Sequence, residues 1–386
     1  MTTFEDRLET ALAAVRARGQ WRETRPAALA PAGRIARDGR TLIDFSSNDY
    51  LGLAAHPLLA ERSAEWAARH GAGSGASRLV TGTLDVHLAL EARVSAFKGT
   101  AAALLFASGW QANATVIPAL LAAAPGAAVF TDRLVHASMH AGCAAAGARQ
   151  HRFRHNDLAH LAELLEARGK DAPARLILVE SVYSMDGDRA DIPALAALAR
   201  RHDAFLYVDD AHATGVLGPH GKGLCAGIDG VGLVMGTFSK AFGGFGAYVA
   251  GSQALRDWLV NAASGFIFST APPPAILGAI DAALDLVPGM EAERAHLAAL
   301  GERLRAGLAA QGYDTGCSST QIVPAIIGAE EEALATSARL AEAGMLAAAI
   351  RPPTVGKGTS RLRLALRASH SEADIDGLLG AIGTSP

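Results

Sequence analysis

Val231-Gly232-Leu233-Val234-Met235-Gly236-Thr237-Phe238-Ser239-Lys240-Ala241-Phe242-Gly243-Gly244-Phe245-Gly246 is an apolar run that Lys240 closes, followed by a glycine-rich stretch. A continuous apolar run of this kind reads as a strand buried on both faces. A lysine where such a strand gives way to glycines is costly as packing. It makes sense as an amine held in a partly dry pocket, where a lowered pKa turns it into a nucleophile or a base. Upstream, Val208-Asp209-Asp210-Ala211-His212 closes another apolar strand with acids and a histidine.

Outward from these two strand ends, short β-rich segments alternate with longer Ala/Leu/Arg segments of helical period. The pattern predicts strands over 103–107, 128–131, 176–180, 204–209, 233–237 and 247–250, with helices over 158–168 and 192–202, the latter opened by Pro193. Such alternation predicts an α/β fold whose large domain is a mostly parallel sheet flanked by helices. In sheets of this type ligands bind beyond the carboxyl ends of the strands, where Ser108, Asp132, Glu180, Asp209 and Lys240 cluster. The prolines Pro272-Pro273-Pro274 stiffen a turn near a domain boundary. The expected division is an N-terminal helix and arm over 1–45, a large domain over 46–280 and a smaller α+β C-terminal domain over 281–386. The last has strands near 323–327 and 361–365.

With 386 residues, half of them hydrophobic and 19% charged, the chain has the composition of a globular protein with a large core. A net charge of -3 points neither to nucleic acid nor to an anionic membrane surface. Cys143, Cys225 and Cys317 are far apart and odd in number, which excludes a CxxC site and predicts a reducing, cytoplasmic compartment. Phe4, Leu8, Leu12 and Val15 recur at helical spacing among charges, so the N-terminus reads as an amphipathic helix packing on the body or on a partner subunit, not as a signal. The apolar stretch 112–130 is broken by Pro118, Pro125 and Gly126 and does not read as a membrane span.

The chemistry follows from residue types. Asp209 and Asp210 are adjacent, so on a strand they face opposite ways and only one points at a ligand. Asp209, nearer the strand, is better placed. An aspartate and a lysine at neighbouring strand ends are the two anchors that pyridoxal 5'-phosphate requires, one for its ring nitrogen and one for its aldehyde. His212, at the strand exit, is within reach of the ring hydroxyl, and Thr237 offers a hydroxyl to the phosphate. Ser108-Gly109-Trp110-Gln111-Ala112-Asn113 leads from a strand into a helix, either a phosphate cradle of backbone N–H groups or an ordinary turn. His136 reads as a ring stacked on an aromatic cofactor or as an ordinary satisfied histidine. A zinc pair with His140 lacks the further ligands such a site needs, so no metal is expected. Ser184, in a polar loop after a strand, is catalytic or part of a turn. Gly71-Ala72-Gly73-Ser74-Gly75 follows a helical segment rather than a strand, which removes the dinucleotide reading and leaves a close-packed loop near the active site.

With Phe45-Ser46-Ser47-Asn48-Asp49-Tyr50-Leu51-Gly52-Leu53 and Ala349-Ile350-Arg351-Pro352-Pro353-Thr354-Val355, these motifs resemble the α-oxoamine synthase family of fold-type-I pyridoxal-phosphate enzymes over essentially the whole chain. The resemblance implies Lys240 as the Schiff-base lysine, Asp209 as the pyridinium partner and His136 as the stacked ring that also polarises the substrate. It implies cofactor contacts from Gly109, Trp110, Ser184, His212 and Thr237, and substrate contacts from Arg22, Asn48, His136, Thr354 and Arg363. Arg363 looks like the fork for an amino acid's carboxylate. The strongest likeness is to the biotin-pathway branch. That branch implies an acyltransferase condensing L-alanine with a pimeloyl thioester, on coenzyme A or an acyl carrier protein, with loss of carbon dioxide. Sibling branches use glycine or serine. The family also implies a homodimer with active sites at the interface, where Ser269 and Thr270 reach the neighbour's phosphate. Trp110 replaces a more common phenylalanine, and Gly356-Lys357 a Pro-small pair.

Overall fold

The computed structural model describes residues 2–385. Met1 and Pro386, the outer limits of the expected arm and C-terminal domain, lie outside the described residues. A helix over Phe4–Ala17 opens on a capping box between Thr3 and Asp6. A meander follows, with β1 at Ala28–Ala30, β2 at Arg34–Arg37 and β3 at Arg40–Asp44. The large sheet takes β4 Ala102–Phe106, β5 Ala128–Asp132, β6 Gln150–Phe153, β7 Arg175–Glu180, β8 Ala204–Asp209, β9 Leu233–Thr237 and β10 Ala247–Gly251. The C-terminal part supplies β11 Ile322–Gly328, β12 Met345–Leu346, β13 Ala348–Ile350 and β14 Ser360–Ala365.

The large sheet has seven strands in the order β4-β10-β9-β8-β7-β5-β6. Only β10 runs against its neighbours, β4 and β9; the pairs β9–β8, β8–β7, β7–β5 and β5–β6 are parallel. The strands form where the sequence is continuously apolar because helices cover both faces: every residue of β4, β5 and β9 is buried. Fully burying a side chain such as Leu178 or Leu206 contributes roughly 1.5–3 kcal/mol relative to leaving it in water. β6 was not expected from the sequence. It is a short edge strand, Gln-His-Arg-Phe, in which only Phe153 is buried, so it carries no apolar signal.

The smaller sheet, in the order β11-β14-β13, is antiparallel, as an α+β tail requires. The N-terminal arm is not merely an arm: β3 pairs in parallel with β12, so residues near each end of the chain share one sheet. The expected 280/281 boundary falls inside the helix Pro274–Leu286. The expected helix over 158–168 narrows to Leu158–Leu164 and continues as a wider turn over Leu165–Gly169. The N-terminal helix does not pack on the body. It buries none of its residues, and Phe4, Leu8 and Leu12 stay exposed. No helix among the described residues is long and apolar enough to cross a membrane.

The alternation of β8 separates its two terminal acids. Asp210 is fully buried against Lys98, the last residue of the helix Asp85–Lys98, at 3.0 Å. Ser181 Oγ donates to it at 2.7 Å and Leu224 N at 3.1 Å. Burial opposes the Lys98 charge, but Tyr248 and Asp210 outweigh it and hold the ammonium above the ordinary lysine value. Gly223, at φ +89°, passes so close that a Cβ there would strike the Asp210 carboxylate. This network fixes the end of β8 and with it the direction of Asp209. Lys98→Met leaves Asp210 dry and without a countercharge, and urea unfolding is expected to show a loss of about 3–5 kcal/mol. A loss below about 1 kcal/mol is what an exposed pair would give, and it would remove this pair from the account.

Candidate active site

A cavity of about 230 Å³ opens where β7, β8 and β9 end, lined by Glu180, Asp209, Thr237 and Lys240. Gly109, Trp110, His136 and His212 complete the expected residues that face it. Lys240 follows β9 by three residues and enters the cavity from the turn that Gly243, at φ +63°, closes against Leu53 and Ala54. Burial pulls its amine down to about 8, against the opposing pull of the Asp209 charge.

The closest partner of Lys240 is neutral. Its Nζ lies 3.0 Å from His212 Nε2, and His212 Nδ1 lies 2.7 Å from the Tyr50 hydroxyl. Tyr50 donates to Asn48 Oδ1 at 3.0 Å, and Arg363 Nη2 donates to the same oxygen at 3.0 Å. One tautomer satisfies every member: Lys240 donates to Nε2, and Nδ1–H donates to Tyr50, whose own proton goes to Asn48. Burial, with the charges of Lys240 and Arg363, holds His212 well below the usual imidazole value, so it takes this neutral form.

Asp209 Oδ2 accepts from Asn113 Nδ2 at 2.8 Å and Oδ1 from Ala211 N at 3.1 Å. Asn113 is itself fixed, accepting from the Tyr207 hydroxyl and donating to Ser138 Oγ at 2.9 Å. At the other end, the helix Gly109–Ala123 starts on Ser108, whose Oγ accepts from Gln111 N at 3.1 Å. A Cβ on Gly109 would meet only the Met235 side chain, at 3.7 Å, so the chain's own packing does not demand glycine there. His136 caps the helix Ala137–Ala145 and places Nδ1 2.7 Å from Ser138 Oγ. Trp110 meets it edge-on at 6.0 Å between centroids. His136 is exposed at the cavity mouth, yet the surrounding protein strips enough water to keep its pKa below the usual value. His140 turns instead to Gln150 Oε1 at 2.7 Å.

Three arginines on or just after β14 are buried, and two have acids: Arg361 with Asp186 at 2.5 Å and Arg367 with Asp49 at 2.7 Å. Arg363 has none among the described residues. Its Nε donates to the Ser184 carbonyl and its Nη2 to Asn48. Ser184 therefore joins Arg363 through its backbone and does not line the Lys240 cavity. Arg22 and Thr354 do not line it either. With Gln20 and Arg351 they border a separate, polar cavity of about 260 Å³. Ser269 Oγ accepts from Gln111 Nε2 at 2.9 Å, and Thr270 lines an apolar cavity of about 250 Å³. Asn113, Tyr50 and Glu180 are the members that sequence reasoning left without roles. Glu180 carried a signal, an acid at a strand end; the other two gain theirs only from neighbouring elements.

The family model described as aminotransferase class I and II matches residues 40–382. A putative 8-amino-7-oxononanoate synthase of Bordetella pertussis is 66% identical over 94% of this chain and 92% of its own. An 8-amino-7-oxononanoate synthase of Gluconacetobacter diazotrophicus is 59% identical over 99% and 97%. Among solved structures, one of SPT with PLP superposes with a TM-score of 0.91 at 28% identity, covering 98% of this chain and 97% of that one.

The loop that carries Ser184 is stapled by His155, whose Nδ1 lies 3.0 Å from Asp132 Oδ1 and Nε2 2.7 Å from Asp188 Oδ2. Burial works against its charge, but the two carboxylates outweigh it and hold the imidazolium up to about 10. Because the folded value lies above the unfolded one of about 6.5, this stabilisation is complete below that pH and fades as pH rises toward the folded pKa. His155→Gln is expected to lose roughly 3 kcal/mol near pH 6, with the gap to the parent narrowing as the pH climbs. Melting temperatures across that range check it, and a gap that widens with pH would contradict the charged staple.

Proposed function

The chain belongs to the aminotransferase class I and II family, and from that membership we propose that it carries out the reaction of the 8-amino-7-oxononanoate synthases it resembles. That reaction joins L-alanine to a pimeloyl thioester, on coenzyme A or an acyl carrier protein, with loss of carbon dioxide, in biotin synthesis. As a member of its family the protein is a pyridoxal-phosphate-dependent acyltransferase. The cavity fits that cofactor. A helix N-terminus faces it, the space beside Gly109 is not filled by the protein, and a lysine and a hydrogen-bonded carboxylate stand on neighbouring strands.

Backbone N–H groups at Gly109 and Trp110, with Thr237, would hold the phosphate, Asp209 the ring nitrogen, His136 one ring face and His212 the ring hydroxyl. Once bound, the cofactor supplies an aldehyde that takes up amines and a ring that draws electrons from the adjacent carbon. The protein's own part is positioning and proton handling. Asn113 and Ala211 N keep Asp209 an acceptor and fix its direction. With a pKa of about 8, Lys240 is partly unprotonated near neutral pH, which suits an amine that takes the amino acid's α proton and later returns one. His136, exposed beside Trp110 at the mouth, is placed to polarise the thioester carbonyl.

One observation carries the amino-acid half of this reading: Arg363 is a buried guanidinium held only by neutral oxygens, ready for a carboxylate. The acyl half rests on the likeness to the Bordetella and Gluconacetobacter proteins, and Arg22 and Thr354 would serve it from the second cavity. The three unpaired cysteines support a reducing compartment, the cytoplasm. We place a second copy of the chain over the apolar side chains left in water, Phe4, Leu8 and Leu12 on the N-terminal helix and Phe268 before the proline run.

Purified protein given L-alanine and a pimeloyl thioester is expected to release the carrier thiol, whereas a strong preference for glycine would move the chain to a sibling reaction. Lys240→Ala should retain cofactor, lose the visible absorbance of the lysine–cofactor link and turn nothing over. Arg363→Ala should raise the KM for alanine about 10- to 100-fold, the cost of a charge-assisted hydrogen bond, and leave that for the thioester unchanged. A thioester KM that rises equally would assign Arg363 elsewhere.

A further inference from the structure

Acids stand at the carboxyl ends of three adjacent parallel strands: Asp132 on β5, Glu180 on β7, and Asp209 with Asp210 at β8. Three of these four are met by donors. Asp132 receives His155 and the N–H groups of Leu134 and Asn156. Asp209 receives Asn113 and Ala211 N, and Asp210 receives Lys98, Ser181 and Leu224 N. Glu180 is different. It is 2% exposed, and its Oε1 is buried without a partner among the described residues.

Glu180 is also the acid set directly beside another. In the parallel register of β7 and β8 it stands opposite Asp209, and both line the Lys240 cavity. Two carboxylates this close in a dry site do not both ionise at modest cost, and the one with the poorer supply of donors keeps its proton. The groups facing Glu180 are Asp209 on β8, Lys240 after β9, Asp132 on β5, the Tyr183 phenol, and the backbone N–H of His136. Of these, Lys240 alone favours its ionised form by full charge, and Lys240 is already opposite Asp209.

We propose that Glu180 is a positioning residue that stays a neutral acid at neutral pH, so that the charge on Asp209 is the only one the cavity sets against Lys240. Burial and the neighbouring Asp209 charge push the Glu180 carboxyl well above the ordinary range, consistent with that geometry. The consequence falls on the lysine. A second ionised carboxylate would favour the ammonium and leave less free amine near neutral pH; a neutral one leaves more. The assignment rests on the cofactor reading of the cavity and is indifferent to which acyl donor the protein takes.

The test uses the full-length chain freed of cofactor, and Glu180→Gln, which mimics the neutral acid in shape and charge. Infrared difference spectra at neutral pH should show the carbonyl stretch of a protonated carboxyl group in the parent and its loss in the variant. The rate of pyridoxal phosphate uptake, followed by visible absorbance against pH, should keep the same midpoint in both proteins. An ionised Glu180 predicts the opposite on both counts: no acid band to lose, and a midpoint that falls by about one pH unit or more when the charge is removed. Either result overturns the proposal. A chain that never develops the visible absorbance in any form would sink the cofactor reading instead, and the infrared band would still decide Glu180. Should the glutamine variant not fold, Glu180→Ala carries the same infrared measurement.

Discussion

Holding the Lys240 amine below the ordinary lysine value takes dry surroundings, and dryness makes every nearby charge expensive. Much of the scaffold around β8 and β9 can be understood as the answer to that constraint. The sheet ends in acids because ligands bind there, yet each acid must be supplied with donors or lose its charge. Lys98 reaches in from the end of one helix to meet Asp210, His155 bridges Asp132 and Asp188, and Asn113 is held by Tyr207 so that it in turn holds Asp209. These contacts are structural in origin. Their effect is chemical, since they fix which carboxylate faces the cavity.

The large sheet was legible because parallel strands buried on both faces need uninterrupted apolar residues; β8 and β9 match the spans expected from the sequence, β5, β7 and β10 differ by a residue at one end, and β4 is shifted by one residue. β6 escaped because a short edge strand needs no such run, and β1 and β2 because none of their residues is buried. The N-terminal helix was legible as a helix, through its apolar spacing and charged flanks. What it packs on was not, because an apolar face names no partner.

The site divides along the same line. Lys240, Asp209, His136 and His212 carry their chemistry in their own side chains and sit at strand ends or helix starts, so local sequence finds them, and the cavity gathers them. Asn113 and Tyr50 gain their importance from elements far away in the chain. Asn113 acts through Asp209 on β8, and Tyr50 bridges His212 to Asn48 and so toward Arg363 on β14. Arg22 and Thr354 border a different cavity of the single chain, so spacing alone did not place them relative to Lys240.

The reacting groups are those that the scaffold leaves without a counterpart. Of the buried arginines near β14, two are neutralised by Asp186 and Asp49, and Arg363 is not. Of the strand-end acids, three have donors, and the Oε1 of Glu180 has none among the described residues. Lys240 has a neutral imidazole for its nearest partner rather than a carboxylate. Pairing any of these within the fold would raise stability, because an uncompensated polar group in a dry site is a standing cost. Leaving them unpaired is reasonable only if something else completes them: a substrate carboxylate for Arg363, a cofactor aldehyde for Lys240 and a retained proton for Glu180. Two of the three deficits, Lys240 and Glu180, line one cavity, and Arg363 connects to it through Asn48, Tyr50 and His212, the nearest partner of Lys240. That convergence ties the cofactor chemistry to this corner of the fold more firmly than any single motif does.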